Sequence, residues 1–160
     1  MTFEGEHYRT EAAEIIPRGP RPDGIPVMVA GIGEKTLAVG ARFGDQVNVN
    51  RALVTADDAA SVIALVNAAA EAVDRDPATL GISGWVRLSV DDDGIAQPKT
   101  GCIPGSPAEV AETVAAIHAA GLEHLTFYIG AADDPSPLPA LTDDTLERFA
   151  PFLEAIRASV

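Results

Sequence analysis

Apolar and polar positions along the chain follow two rhythms. A short apolar run of strand character is followed by a longer run with helical spacing, and this happens four times in succession. The pairs are Pro26–Ala30 then Glu34–Phe43, Asp45–Val49 then Ala56–Val73, Ser83–Val90 then Pro107–Ala120, and His124–Ile129 then Thr142–Ala158. Strand-then-helix repetition predicts a parallel α/β fold. A closed barrel of this kind needs eight units and roughly 250 residues, whereas this chain has four units in 160 residues. The pattern therefore predicts four parallel strands alternating with four helices, half of a closed assembly.

The rhythm also assigns faces. Val27-Met28-Val29-Ala30 is apolar throughout, which predicts a parallel strand covered on both sides. The second strand alternates, with Val47 and Val49 opposing Gln46, Asn48 and Asn50. In the third strand Val86, Leu88 and Val90 oppose Trp85, Arg87 and Ser89, and Trp85 is expected to pack rather than to stack on a cofactor. The fourth, Leu125–Ile129, is again apolar. Ser106-Pro107-Ala108-Glu109 predicts a helix start: hydroxyl cap, proline at the first position, glutamate at the third. Gly44 and Gly121 are expected to end the helices before them. Residues 1–25, with a short strand within Thr2–Arg9 and then Pro17, Pro20 and Pro22, read as a connecting segment, and 26–160 as the folded unit.

Composition narrows the partners. A formal net charge of −13 argues against a nucleic-acid partner, since phosphate repels such a surface. The first twenty residues lack the basic and apolar regions of a signal peptide, and no apolar stretch reaches the ~20 residues of a membrane span. A cytoplasmic protein is the expectation. Cys102 is the one cysteine, so the chain has no internal disulfide.

The residues Phe3-Glu4-Gly5-Glu6-His7-Tyr8, the proline-rich approach, Pro26-Val27-Met28-Val29-Ala30-Gly31-Ile32-Gly33, Leu37–Asp45 and Gly105-Ser106-Pro107 occur in this order along the chain. Together the chain resembles the luciferase-like flavin and deazaflavin oxidoreductases, over essentially its whole length. The resemblance implies a TIM barrel of which this chain is the second half, strands five to eight. It implies reduced flavin mononucleotide (FMN) or coenzyme F420 as cofactor, not distinguishable here, no metal, and a small organic substrate that is oxygenated, oxidised or reduced. It also implies that most of the ring-binding surface and the usual catalytic groups lie in the half this chain lacks, so no catalytic residue is assigned.

The turn Gly31-Ile32-Gly33-Glu34-Lys35-Thr36 follows a parallel strand and opens a helix, where backbone N–H groups favour an anion. Family likeness carries cofactor contact onto Gly31, Ile32, Gly33, Lys35 and Thr36; the alternative is a tight turn that needs glycine for its own sake. Asn48 and Asn50 share one strand face near its C-terminal end, where a barrel's active site lies. Asn50 matches a position at which some deazaflavin members of the family touch substrate; the alternative for both is local backbone bonding.

Asp91-Asp92-Asp93-Gly94 reads as a solvated turn, because the further ligands of a calcium loop are absent. Asp133-Asp134-Pro135 is too anionic for a phosphate site. His7, His118 and His124 are too scattered for a helical metal pair. His7 matches a His-Tyr pair of the family that reads as structural, His118 is expected at an exposed helix edge, and Cys102 has no histidine near it in sequence.

Half a barrel leaves open edges, and open edges recruit partners. The expected outcomes are a homodimer through the inner face, pairing with a separate N-terminal half-barrel, or a truncated product that behaves poorly. Two other functional classes stay open. One is a non-catalytic interaction or assembly subunit. The other is an open doubly wound α/β binding domain, with the Gly31–Gly33 turn as its ligand site.

Overall fold

The computed structural model of the protein describes residues 1–14, 24–122, 124–131 and 142–160. Two short strands, β1 (Phe3–Glu4) and β2 (Arg9–Thr10), pair antiparallel at the amino end. They are joined by a turn in which the Gly5 N–H donates to the Tyr8 carbonyl. A single short strand was expected here; the polar turn Gly5–Tyr8 folds the segment back on itself instead. The expected prolines at 17, 20 and 22, and the Asp133-Asp134-Pro135 loop, lie outside the described residues.

The main body is one parallel sheet in the order β3-β4-β5-β6. Its elements are β3 (Met28–Ala30), α1 (Glu34–Phe43), β4 (Gln46–Ala52), α2 (Ala56–Glu71), a 3-10 turn at Pro77–Thr79, β5 (Gly81–Val90), α3 (Pro107–Ala119), β6 (His124–Ala131) and α4 (Asp143–Ser159). The four expected strand–helix pairs are all present, with ends shifted by up to three residues. Sequential neighbours pair in parallel throughout.

Helix boundaries have local causes. Thr55 and Ser106 form capping boxes with Asp58 and Glu109, and the Thr142 hydroxyl accepts from the Thr145 N–H. Gly121, at φ +106, stops α3 as expected. Gly44 ends α1 by a different route. Its backbone is extended (φ −89, ψ 153), and a Cβ there would lie 2.8 Å from the Gly40 carbonyl oxygen. The glycine is required by close packing, not by a left-handed cap.

One face of the sheet carries the core. Val47, Val49, Val86 and Leu88 are buried with Leu37, Val62, Val110 and Phe152 from the helices. Gly40 lets α1 approach the sheet closely, since a Cβ there would sit 2.7 Å from Val47 Cγ2. Leu53, just past β4, folds over Gly84, where a Cβ would come within 2.2 Å of Leu53 Cδ1.

The opposite face has no helix layer among the described residues. This corrects the expectation for β3. Val27 and Met28 are each more than half exposed, because β3 is an edge strand and its inner side is uncovered. No described helix is long and apolar enough to cross a membrane.

β4 and β5 part company halfway along. Asn48 pairs with Ser83, yet Ala52 pairs with Trp85, an irregular stretch between Asn48 and Ala52. The gap beside the end of β5 is taken by the following loop. The Ile103 N–H donates to the Arg87 carbonyl and the Gln97 N–H to that of Ser89. Residues 96–105 thus extend the sheet where β4 has left it, buttressed by Asp91, whose carboxylate accepts from the Asp93 and Ile95 N–H groups and from the Gln97 amide.

Candidate functional site

Two neighbouring surfaces meet at the C-terminal ends of β3 and β4. The first is the turn into α1. The Gly31 N–H donates to the Asn48 carbonyl at 2.9 Å, tying the turn to β4. Gly31 has φ +154, and a Cβ there would lie 2.6 Å from Thr36 Cγ2. This glycine is required by the turn itself. Gly33 differs. It caps α1 at φ −70, a value open to any residue, and a Cβ there would find only Thr36 Oγ1, at 4.0 Å. Neither backbone conformation nor local packing demands glycine at 33, and the space above it is open.

No side chain caps α1, in contrast to α2, α3 and α4. Among the described residues, the N–H groups of its first turn have no side-chain cap. Ile32 and Lys35 are exposed beside this helix end and Thr36 is half-buried. Glu34 places one exposed carboxylate in the same turn.

The second surface is the inner sheet face. Asn48 and Asn50 lie on it, opposite the buried Val47 and Val49, as the alternation predicts. Neither amide is idle. The Asn48 amide donates to Ser83 Oγ at 2.9 Å, and the Trp85 indole N–H donates to Asn50 Oδ1 at 3.2 Å. Trp85 meets Tyr128 edge to face, with centroids 5.5 Å apart and planes at 82°. The Arg87 guanidinium lies 6.0 Å from the Trp85 ring centroid. The register of β5 and β6, with Arg87 opposite Tyr128 and Trp85 opposite Thr126, assembles this group.

Sequence reasoning found the two asparagines and missed Trp85, Arg87 and Tyr128 as a unit. The alternation in β5 placed Trp85 and Arg87 on the polar face, but only strand register brings Tyr128 to them.

Other expected candidates stay apart. His7 and Tyr8 are both exposed, and His7 lies 4.0 Å from the Glu6 carboxylate. His118 is exposed on α3, with Nδ1 3.4 Å from the Leu122 carbonyl, and His124 is exposed at the start of β6. Cys102 is buried, and burial pushes its thiol above the usual range against the opposing charges of Arg87 and Lys99. A thiol held protonated in this way is a poor nucleophile. Asp92 pairs with Arg148 of α4, tying the Asp91–Gly94 turn to the last helix. Among the described residues no group of three or more histidine, cysteine or acidic side chains converges.

The family model of luciferase-like monooxygenases matches residues 1–97. No curated protein sequence matches the chain. Among solved structures, the coenzyme F420-dependent tetrahydromethanopterin reductase from Methanopyrus kandleri superposes with a TM-score of 0.67 at 14% identity, over 99% of this chain and 58% of that one. An F420-dependent secondary alcohol dehydrogenase, solved with an F420–acetone adduct, superposes with a TM-score of 0.65 at 16% identity, over 98% and 56%. EDTA monooxygenase from Chelativorans sp. BNC1 gives a TM-score of 0.65 at 14% identity, over 99% and 52%. The chain thus spans about half the length of the structures it matches, and at these identities the likeness is one of fold: four parallel strands and four helices, half of a TIM barrel.

Proposed function

Starting from the fact that the chain belongs to the luciferase-like monooxygenase family, we propose that it is the C-terminal half-barrel of an FMN- or F420-dependent oxidoreductase, competent once further strands close the barrel. The observation that carries this reading is the uncapped start of α1 beside an open Gly33, bordering an inner sheet face that no described helix covers. FMN and F420 both bear phosphate. A helix start without side-chain acceptors, flanked by Lys35 and with open space over a glycine, fits such a group. Glu34 works against it, which leaves backbone N–H groups and Lys35 as the favourable contributors.

In this reading Gly31, Ile32, Gly33, Lys35 and Thr36 hold the cofactor. Gly31 and Thr36 fix the shape of the turn, Gly33 gives close approach, and Ile32 offers an apolar contact. The cofactor supplies the redox chemistry, and the protein supplies position and exclusion of water. Asn48 and Asn50 face a small organic substrate on the inner wall, partly through the side chains they hold in place. No general acid or base is assigned to this half. A second half-barrel, from another chain or another copy, would cover the inner face and complete the water-free site.

Titration of the purified chain with FMN and with F420, followed by absorbance and calorimetry, tests the reading. Saturable binding of either one, weakened several-fold by Gly33→Val and by Lys35→Ala, supports it; binding that ignores both substitutions, or no binding even when a first half-barrel is added, overturns it. The exposed apolar edge formed by Ile25, Val27 and Met28 favours a second reading, an assembly subunit that keeps the fold without the chemistry. Tight self-association with no cofactor binding would select that one.

A further inference from the structure

The inner face holds a feature that cofactor contact at the α1 turn does not use. Trp85 and Tyr128 stand on it, away from the aromatic core on the other side, where Phe127, Phe149 and Phe152 pack together. On the inner face Trp85 is half-buried and Tyr128 is exposed, so both rings keep apolar surface that a ligand could cover. Here they are also locked in place. The Asn50 oxygen fixes the indole by its N–H, and Tyr128 fixes its edge. Fixing the rings removes the rotamer freedom that a ligand would otherwise have to quench.

Asn50 sits in the irregular stretch between the Asn48–Ser83 and Ala52–Trp85 pairs, and from there its side chain reaches the indole. Its oxygen accepts from the indole, and the amide N–H₂ beside it is a donor that Asn50 can offer a ligand. Tyr128 remains 40% exposed. The Arg87 guanidinium lies 6.0 Å from the Trp85 ring centroid and borders the same spot.

We propose that Trp85, Tyr128 and Asn50 form a seat for a small planar aromatic molecule carrying a carbonyl-type acceptor oxygen: the ring lies against the two aromatic side chains and the oxygen accepts from the Asn50 amide. Calling that molecule the substrate rests on the oxidoreductase reading above; the seat itself does not. An aromatic pair contributes about 0.5–1.5 kcal/mol beyond area burial, which sets the discrimination between a flat and a saturated ring at roughly 2–12-fold.

Trp85 is the only tryptophan, so its indole N–H gives a single resonance in a proton–nitrogen correlation spectrum. The full chain is titrated with acetophenone and with cyclohexyl methyl ketone, which share the carbonyl and differ in the ring. The expected result is a saturable shift of the indole resonance with acetophenone, several-fold weaker with the saturated ketone, and weakened several-fold by Tyr128→Leu and by Asn50→Ala in variants whose spectra stay dispersed. Equal response to the two ketones, or no response, overturns the seat. FMN and F420 are titrated into the same sample. An aromatic response without cofactor binding keeps the seat and sinks the oxidoreductase reading, whereas cofactor binding without an aromatic response does the reverse. Displacement of acetophenone by FMN would give the seat to the cofactor ring and overturn its assignment to substrate.

Discussion

Asp58 shows how one side chain can set a helix start. Its carboxylate accepts from the Val54 and Thr55 N–H groups at 3.1 and 3.0 Å and from the Thr55 hydroxyl at 2.9 Å, with Arg51 at 3.7 Å. Burial is the largest single influence on this group and pushes its pKa up, but the three hydrogen bonds and Arg51 together outweigh it and hold the pKa below the ordinary aspartate value. A carboxyl depressed by folding contributes stability above its unfolded pKa and loses it as pH falls through the folded one. Asp58→Ala should therefore cost about 1 kcal/mol at neutral pH. The gap between wild type and variant should close as the pH drops below about 4. Urea unfolding at several pH values measures this, and a gap that stays constant would show that the carboxylate charge is not the cause. The Thr-x-x-Asp spacing that produces this cap is plain in the sequence, and so is that of Ser106 and Glu109. The sharing of Asn50 with Trp85 is not, because those residues are 35 positions apart.

Among the elements, the joint between α1 and α2 depends on one residue that no motif announces. Arg75 donates to the Ala41 and Gly44 carbonyls at the end of α1 and to the carbonyl and hydroxyl of Thr79 in the 3-10 turn. Four acceptors from two segments meet on one planar cation, which suits a guanidinium and not an ammonium. Arg75→Lys should lower stability by about 1–2 kcal/mol and Arg75→Ala by about 2–3 kcal/mol. Thermal and chemical unfolding of both variants check the order; equal losses would show that charge alone matters. Helix and strand existence was legible because periods of two and of three to four differ clearly over these lengths. The amino-terminal hairpin and the loop that replaces β4 beside β5 were not, since two-residue strands and isolated bridges carry no period.

For the whole molecule, the decisive fact is an open sheet. Among the described residues β3 and β6 each have one paired neighbour, and no helix covers the inner face. On the β3 side, Val39 and Phe43 of α1 are exposed, Phe43 by 71%, next to the exposed Val27 and Met28. In a closed barrel these positions would meet the preceding strand and helix. Light scattering after size exclusion is expected to show association of the chain with itself, or with a first half-barrel when one is supplied. Val39→Lys with Phe43→Lys is expected to reduce that association and leave the circular dichroism unchanged. A monodisperse monomer that also ignores a first half-barrel would count against completion through these edges.

The sequence by itself determined the parallel α/β class, the four strand–helix pairs, the capped start of α3 at Ser106 and the polar face holding Asn48 and Asn50, because each is encoded over a few neighbouring residues. Only the tertiary structure decided that β3 is an exposed edge, that Gly33 is open while Gly31 and Gly44 are packed shut, and that Tyr128 and Asn50 meet at Trp85. Those depend on strand order, register and the break between β4 and β5, which are settled by packing across the chain and leave no local pattern behind.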